Sequence, residues 1–500
     1  MNRHSTIRDL ALLTLQTILA VLIQGYHPGL EDDAFYLAAI KRNLNPALFP
    51  HDADFFRLQF QATIFDKVVA ASVRFTHLPL SWIIFLWQIV TIFSILWACL
   101  AISRRCFSAP HAQWAAVTTV AVLLTIPVSA TGISLVDQYL HPRALATAAI
   151  LAAIVAILKQ RRLLAAFLLA FAFLFHAIMA AFGISLCIFL AWNGGKNYEG
   201  NNHGNKNDDE GLGRAEFASF LLPLGWLFDP ASDAWRQAAA TRRFYFLSHW
   251  TWYEWLGVFA PIVLLGWFAR LAQRNQSPAM ARLASRLVYF AIFQLAVALA
   301  IMLPPSLERL RPFEPMRYLQ LVYLLMFLMA GGLIGQYLLR SHIYRWLLLF
   351  VPLAFGMFYA QRQLYPATAH LELPGAVPAN HWVAAFSWVS GNTPIDSLFA
   401  LDPDYMEIPG EDFHGFRALA ERSVLADSTK DAGMAARVPG LAPRWLREVN
   451  ATRGWHSFQA ADFHNLKSSL GVDWVVLAQP GVSGLTCPYQ NRGVLVCRVQ

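Results

Sequence analysis

Charge is what this chain has least of. Asp, Glu, Lys and Arg make up 14% of its 500 residues, against 57% hydrophobic and 14% aromatic. The mean hydropathy is +0.42. A soluble core of this size does not need so apolar a composition. Cysteine is also sparse, five in all, and none sits in zinc-ligand spacing. A phosphate-cradling P-loop is missing, and so is a dinucleotide fingerprint. The glycine-rich stretches lack the strand–turn–helix setting those motifs require. The formal charge of +8 needs no nucleic acid to explain it, because much of it follows from topology.

What is present is long apolar runs. Stretches such as 81–103 and 163–192 read as polytopic membrane signals, since a spanning helix needs roughly 20 apolar residues. The pattern gives roughly eleven spans at that length, near 9–25, 81–103, 112–129, 143–159, 163–177, 178–192, 216–229, 254–271, 285–304, 317–339 and 344–360. The run 163–192 is too long for one helix and divides into two near His176, and 216–229 is short. The first 25 residues have a basic start and an apolar stretch but no convincing small-residue cleavage site. They read as a retained first helix.

The basic residues give an independent test. If the spans alternate, Arg3, Arg8, Arg104, Arg105, Lys159, Arg161, Arg162, Lys196, Lys206, Arg214, Arg270, Arg274, Arg282, Arg286, Arg340 and Arg345 share one side. By the positive-inside rule that side is cytoplasmic. The N-terminus is then inside, and everything after about residue 361 is outside. The segment 193–213, rich in Asn, Gly, Asp and Lys, reads as a disordered cytoplasmic linker.

The first outer loop, 26–80, is too long for a connector. It opens on three consecutive acids, Glu31, Asp32 and Asp33, a few residues beyond the first span. Residues 32–44 can form a helix, and 61–75 reads as an amphipathic one with Ile64, Phe65, Val68, Val69 and Val73 on one side. Two surface helices would make a shelf carrying the acids. Between them, His51-Asp52-Ala53-Asp54 resembles a loose metal-ligand pair, although such pairs are common in plain loops. Outer-side Arg242, Arg243, Arg309, Arg311 and Arg317, with Lys41, Arg42, Arg57, Lys67 and Arg74, are cations of the kind that hold a phosphate at a membrane surface. The alternative is that they snorkel or pair with acids such as Glu308 and Glu314.

A first span, an acidic pair directly after it and a long outer loop with surface helices resemble the GT-C class of membrane glycosyltransferases. The likeness covers about residues 1–362, with Glu31-Asp32 or Asp32-Asp33 in the place of that class's modified acidic pair. It implies a many-helix fold, a polyprenyl-phosphate-linked sugar as donor, and a second acid facing the first across the cavity, here Asp137. It also implies a carboxylate base at Asp32 or Asp33, with Glu31 third, and cations or a divalent metal such as Mg or Mn at the departing phosphate. The competing reading is that the three acids cap a helix N-terminus, where acids are favoured anyway.

Further polar groups stand out against apolar helices. Asp137, His141 and Arg143 crowd one short outer loop; Asp137 and Arg143 either face a substrate or pair with each other. His176 is a phosphate contact or a satisfied helix–helix contact. Residues 244–255 are strongly aromatic, an interfacial belt or a sugar-stacking surface with Tyr253 and Glu254. Arg311, Glu314 and Arg317 complete the substrate-binding candidates. The tail reads as a compact α/β domain with strands at 397–401, 423–427, 474–477 and 494–499 and helices at 381–390 and 413–421. Cys487 and Cys497 flank a turn-rich segment and suit a hairpin disulfide in an oxidising compartment, whereas Cys99, Cys106 and Cys187 lie in spans or on the inner side.

The expected protein is an α-helical polytopic membrane protein, 1–362, with a C-terminal soluble outer domain, 363–500. Its expected activity is inverting sugar transfer from a polyprenyl-phosphate or diphosphate donor to a lipid or glycan acceptor at the outer leaflet of a bacterial inner membrane. No nucleic acid is expected as a partner. The alternatives are a transporter or flippase of a lipid-linked glycan, and a non-catalytic membrane scaffold. A transporter should show internal repeats with matching broken helices, and no clear repeat is visible.

Overall fold

The computed structural model describes residues 3–192 and 231–500. The expected linker 193–213, the short span 216–229 and Lys196, Lys206 and Arg214 lie outside the described residues. The described residues are mostly helical, 68% of them. Among the described residues six helices are long and apolar enough to cross a membrane: Thr6–Gln24, Leu80–Cys106, Trp252–Arg274, Pro278–Met302, Pro315–Leu339 and Ile343–Leu364. Three shorter apolar helices join them: Pro142–Leu158, Arg162–Phe175 and Ala177–Ala191.

In chain order, α1 is Arg3–Gln24, α2 Asp33–Leu44, α3 Arg57–Ala62, α4 Phe65–Thr76, α5 Leu80–Cys106, α6 Pro110–Val122, α7 Pro142–Leu158, α8 Arg162–Phe175 and α9 Ala177–Ala191. The long apolar run divides at His176, as its length demands. The amphipathic stretch of the first loop also breaks, between α3 and α4, because Thr63 and Ile64 turn to bond the α8–α9 break. Thr63 Oγ1 donates to the Phe175 carbonyl at 2.8 Å, and the Ile64 N–H donates to the Leu174 carbonyl at 3.0 Å.

The expected span 112–129 is corrected: α6 stops at Val122, and residues 123–141 run on as irregular, mostly buried chain. Buried backbone outside a helix must find partners elsewhere. Glutamines on neighbouring apolar helices supply them. Gln24 donates to the Val122 carbonyl at 2.6 Å, Gln88 to that of Asp137 at 2.9 Å, and Gln320 to that of Leu135 at 2.5 Å. The segment that carries Asp137, His141 and Arg143 is thereby fixed inside the bundle.

The remaining helices are α10 Asp233–Ala240, α11 Trp252–Arg274, α12 Pro278–Met302, α13 Leu319–Ile334, α14 Ile343–Leu364, α15 His381–Asn392, α16 Phe416–Ala420, α17 Lys430–Arg437, α18 Ala442–Ala451 and α19 Ala460–Leu470. One five-stranded sheet runs in the order β2-β1-β3-β5-β4, with β1 Leu398–Ala400, β2 Ser423–Val424, β3 Trp474–Ala478, β4 Thr486–Gln490 and β5 Val494–Arg498. Strand alternation divides its side chains between two cores. Phe399, Val476 and Val496 join Phe386 and Phe416 on one face; Leu398, Val475, Leu477 and Cys497 join Phe463 on the other. Cys487 and Cys497 are joined as a disulfide across β4 and β5, and Cys99, Cys106 and Cys187 are free and buried.

A further core ties this region to the first loop. Phe35, Phe49, Phe55 and Phe56 pack with Trp235, Tyr245, Met434 and Trp445. Arg417 reinforces it, bonding Asp431 at 2.9 Å and Asp52. Asp52 is therefore a buried ion-pair partner and not half of a metal pair, and Asp54 is exposed, 3.9 Å from Arg444. At the far ends of the long helices Arg104 pairs with Asp9 at 2.6 Å and Arg282 donates to the Leu190 carbonyl at 2.6 Å. The loops that alternation assigns to one side thus gather at one end of the bundle, and the arginine-bearing ends gather at the other.

Candidate active site

The acids sit where the first helix hands over to the tail. Glu31 has φ of 53°, a left-handed conformation uncommon for a side-chain-bearing residue. Its N–H donates to the Phe413 carbonyl at 3.0 Å, and Leu30 makes a bridge to His414. The Asp32 N–H donates to the Tyr139 hydroxyl at 3.3 Å. Backbone from three separate parts of the chain therefore sets where these carboxylates point.

Asp32 and Asp33, adjacent in sequence, part company here. Asp33 opens α2 buried, accepting the Gly29 N–H at 2.7 Å. That acid closes a turn and lines neither of the cavities beside Asp32, which corrects its expected role as base or metal contact. Burial, only partly offset by Gly29, Lys41 and His414, pushes its carboxyl up to about 7. Asp32 is partly exposed and faces cations. Its Oδ1 accepts from the Lys430 ammonium at 3.0 Å, and its Oδ2 lies 3.8 Å from His141 Nε2. Burial opposes ionisation, but Lys430, His141 and Arg317 outweigh it and hold this carboxyl well below the usual range.

His141 is oriented by its own helix. Its Nδ1 accepts the Arg143 N–H at 2.9 Å as the N-cap of α7, which leaves Nε2 as the side facing Asp32. Burial, with Arg143 next in weight, lowers the imidazole's affinity for a proton, and with Nδ1 accepting a hydrogen bond the ring proton is left to Nε2. His176 caps α9 in the same way, accepting the Met179 N–H at 3.3 Å. The two rings lie 6.2 Å apart between centroids.

Asp32 separates two cavities. One, of about 140 Å³, is bounded by Tyr36, His141 and His176, by the apolar Leu58, Phe175 and Ile178, and by Glu314, Arg317 and Arg437. Glu314, itself at φ of 54°, holds both guanidiniums, Arg317 at 2.5 Å and Arg437 at 2.8 Å. The other cavity, of about 230 Å³, is the more polar: Glu31, Ser129, Ser134, Asp137, Gln138, Tyr139, Arg143 and Lys430 line it with Asp32, alongside Ile133, Leu364, Tyr365 and Phe413. Asp137 and Arg143 pair through both carboxylate oxygens at 2.7 and 2.6 Å. That is the pairing alternative, yet the pair still fronts this cavity. Buried Nε and Nη1 of Arg143 and Nε of Arg317 have no hydrogen-bond partner among the described residues.

Several expected contacts lie elsewhere. Tyr253 is exposed, and Glu254 forms a capping box with Thr251 and pairs with Arg243 at 2.7 Å. Capping α11, with an arginine partner, engages one oxygen of that carboxylate, Oε2. Arg311 stacks over the Phe246 ring at 5.2 Å, Arg242 bonds the Thr429 carbonyl, and Lys41 pairs with Glu421 at 2.7 Å. Most of the outer cations therefore brace the assembly, and of the five outer arginines only Arg317 lines the cavity beside Asp32.

Two groups escaped the sequence reading, Lys430 and Arg437. Both stand on α17, in a tail expected to be a separate domain, and seven residues apart they share a helix face. That spacing was the available signal, but nothing local marks Lys430 as the partner of acids about 400 residues earlier or Arg437 as that of Glu314, 123 residues earlier.

A divalent metal does not fit this arrangement. Among the described residues no three His, Cys, Asp or Glu side chains gather as a metal-holding group. The two candidate ligands, Glu31 and Asp32, are already bridged by Lys430. Searches against family models and against curated proteins found no match for this chain.

Proposed function

We propose that the protein is a membrane-embedded glycosyltransferase that moves a sugar from a polyprenyl-phosphate donor to an acceptor hydroxyl, with inversion, using Asp32 as base. The observation that carries the reading is the position of Asp32, a partly exposed carboxylate between a cavity with guanidiniums and an apolar side and a second, more polar cavity. A lipid-linked sugar phosphate has one phosphodiester, one apolar chain and one sugar. The first cavity offers a counterpart to each. Arg317 and Arg437 would meet the phosphate, and the apolar rim at Leu58, Phe175 and Ile178, continued by exposed Phe167 and Phe171 of α8, would meet the chain. With Glu314 between them the guanidiniums leave one net positive charge, which matches a phosphodiester better than a diphosphate.

The polar cavity would then admit the acceptor. Its hydroxyl proton passes to Asp32 as the new C–O bond forms, and the bond from the anomeric carbon to phosphate oxygen breaks with its electrons going to the phosphate. A carboxylate held ionised is a hydrogen-bond acceptor throughout. It takes the proton only as the attacking oxygen becomes acidic in the transition state. By this reading the gathered loops face the outer leaflet of a bacterial inner membrane, with the N-terminus cytoplasmic.

The test uses full-length protein in nanodiscs with a panel of polyprenyl-phosphate sugars, following release of polyprenyl phosphate by chromatography. Wild type should release it from at least one donor. Asp32→Asn should lose about 10²–10⁴-fold, the usual worth of a positioned base, while still binding donor. Absence of saturable binding and of release across the panel would sink the proposal.

A further inference from the structure

The ammonium of Lys430 stands where a divalent cation would stand. It bridges Glu31 and Asp32, 3.0 Å from the latter, and its side chain is buried. Burial works against its charge, but Asp32 and then Glu31 overcome that and strengthen its hold on the proton. The position is built rather than incidental. Asp427 accepts the N–H groups of Thr429 at 2.9 Å, Lys430 and Asp431 at 3.0 Å, fixing the start of α17. The Trp445 indole in turn holds the Asp427 carbonyl at 2.9 Å. From the other side, Glu31 is kept in a left-handed conformation, which persists only where the surroundings impose it.

We infer that Lys430 is a tethered replacement for a metal ion: supplied by the tail, it holds the two acids together and keeps divalent cations out of the site. A hard dication demands several oxygen ligands near 2.0–2.6 Å. Here it would have to displace a buried ammonium and share two carboxylates with no third. Without Lys430 the logic reverses. Two carboxylates left facing one space repel each other, and a hydrated dication is the species that relieves them. Lys430 lines the second cavity beside Asp32, but the role argued for it runs through Asp32, which makes it a positioning residue. As a statement about catalysis the inference rests on the transferase reading; as a statement about ion binding it does not.

The experiment therefore reads ion binding. Mn²⁺ is titrated into full-length protein in metal-free nanodiscs and bound ion is followed by electron paramagnetic resonance. Wild type should show no Mn²⁺ site that depends on Asp32, its signal matching that of Asp32→Asn. Lys430→Ala, verified as folded by gel filtration, should bind one Mn²⁺ at least about tenfold tighter than wild type. The double variant Lys430→Ala/Asp32→Asn should lose that ion. Lys430→Arg, which keeps the charge, should exclude Mn²⁺ as wild type does. An Asp32-dependent Mn²⁺ site in wild type overturns the inference whether or not the alanine variant folds. So does a folded alanine variant that binds no better than wild type. Neither result touches the donor-release assay, so the two readings fail separately.

Discussion

Oδ1 of Asp32 takes Lys430 and Oδ2 faces His141, while one residue later Asp33 points inward to Gly29. The pH consequences are opposite in sign. Asp32, depressed, stays ionised through the working range, and the stability it lends is lost only in acid well below that range. Asp33 titrates near 7 when folded but in the ordinary carboxylate range when unfolded. Between those values the native state holds the extra proton, so this group makes stability fall as pH rises toward and through 7. Wild type should accordingly melt higher at pH 5.5 than at pH 8. Asp33→Asn, which can still accept the Gly29 N–H, should narrow that gap; an equal gap in the variant would show that the carboxyl does not titrate there. On the basic wall, Arg437→Ala should raise the donor KM far more than it lowers kcat, because a group that holds the phosphate in ground and transition state alike supplies uniform binding. A fall confined to kcat would place Arg437 at the reacting centre instead. The acids were legible in the sequence because they stood alone at the edge of an apolar run. Which of them faces a cavity was not, since a one-residue step along the start of α2 decides it.

Elements bring the cations to the acids, and one close approach governs how well. α16 enters against α2 through Gly415. A Cβ there would lie 2.2 Å from Ala34 Cβ and 2.8 Å from Ala34 Cα, a clash that backbone must absorb. Gly415→Ala should therefore wedge the tail off the first loop and withdraw α17, lowering both the melting temperature and donor turnover. Ala34→Gly in the same chain should recover part of both, because it removes the closer of the two atoms struck and leaves only Cα at 2.8 Å. Failure of that rescue in a folded double variant would mean the two helices do not meet as described. The same scale explains what the sequence concealed. The length of an apolar run reveals how many helices it must hold, and it did so for the break at His176. It does not say that α6 ends at Val122, since residues 123–141 stay apolar while leaving the helix. The informative residues were Gln24, Gln88 and Gln320, polar groups inside apolar helices whose partners are carbonyls of that irregular stretch and of Val122 just before it. The strands β1, β2, β3 and β5 were legible in the sequence and β4 was not, while the disulfide was legible from the turn between its cysteines. α17, short and set among loops, was not.

For the whole molecule the decisive matter is sidedness, because acids, guanidiniums and tail can act together only if their loops share one face. They do meet at one end of the bundle, while Arg104, Arg282 and the loop around Gln276 lie at the other. If a bilayer surrounds the long helices, exposed aromatic and aliphatic side chains such as Phe167, Phe259, Leu348 and Phe355 face lipid. Charges then cannot migrate between the two ends at reasonable cost. The positive-inside rule assigns the arginine-bearing end to the cytoplasm. A cysteine introduced at exposed Gly410 should then react with a membrane-impermeant maleimide in intact spheroplasts. One introduced at exposed Gln276 should react only after the membrane is opened. The native free cysteines are buried and give a low background in both cases. Labelling of Gln276→Cys but not Gly410→Cys in intact cells would invert the molecule and put Asp32 at the inner leaflet. Equal labelling of both would mean that no bilayer separates the two ends, and an apolar-chained donor would then lose its physical rationale.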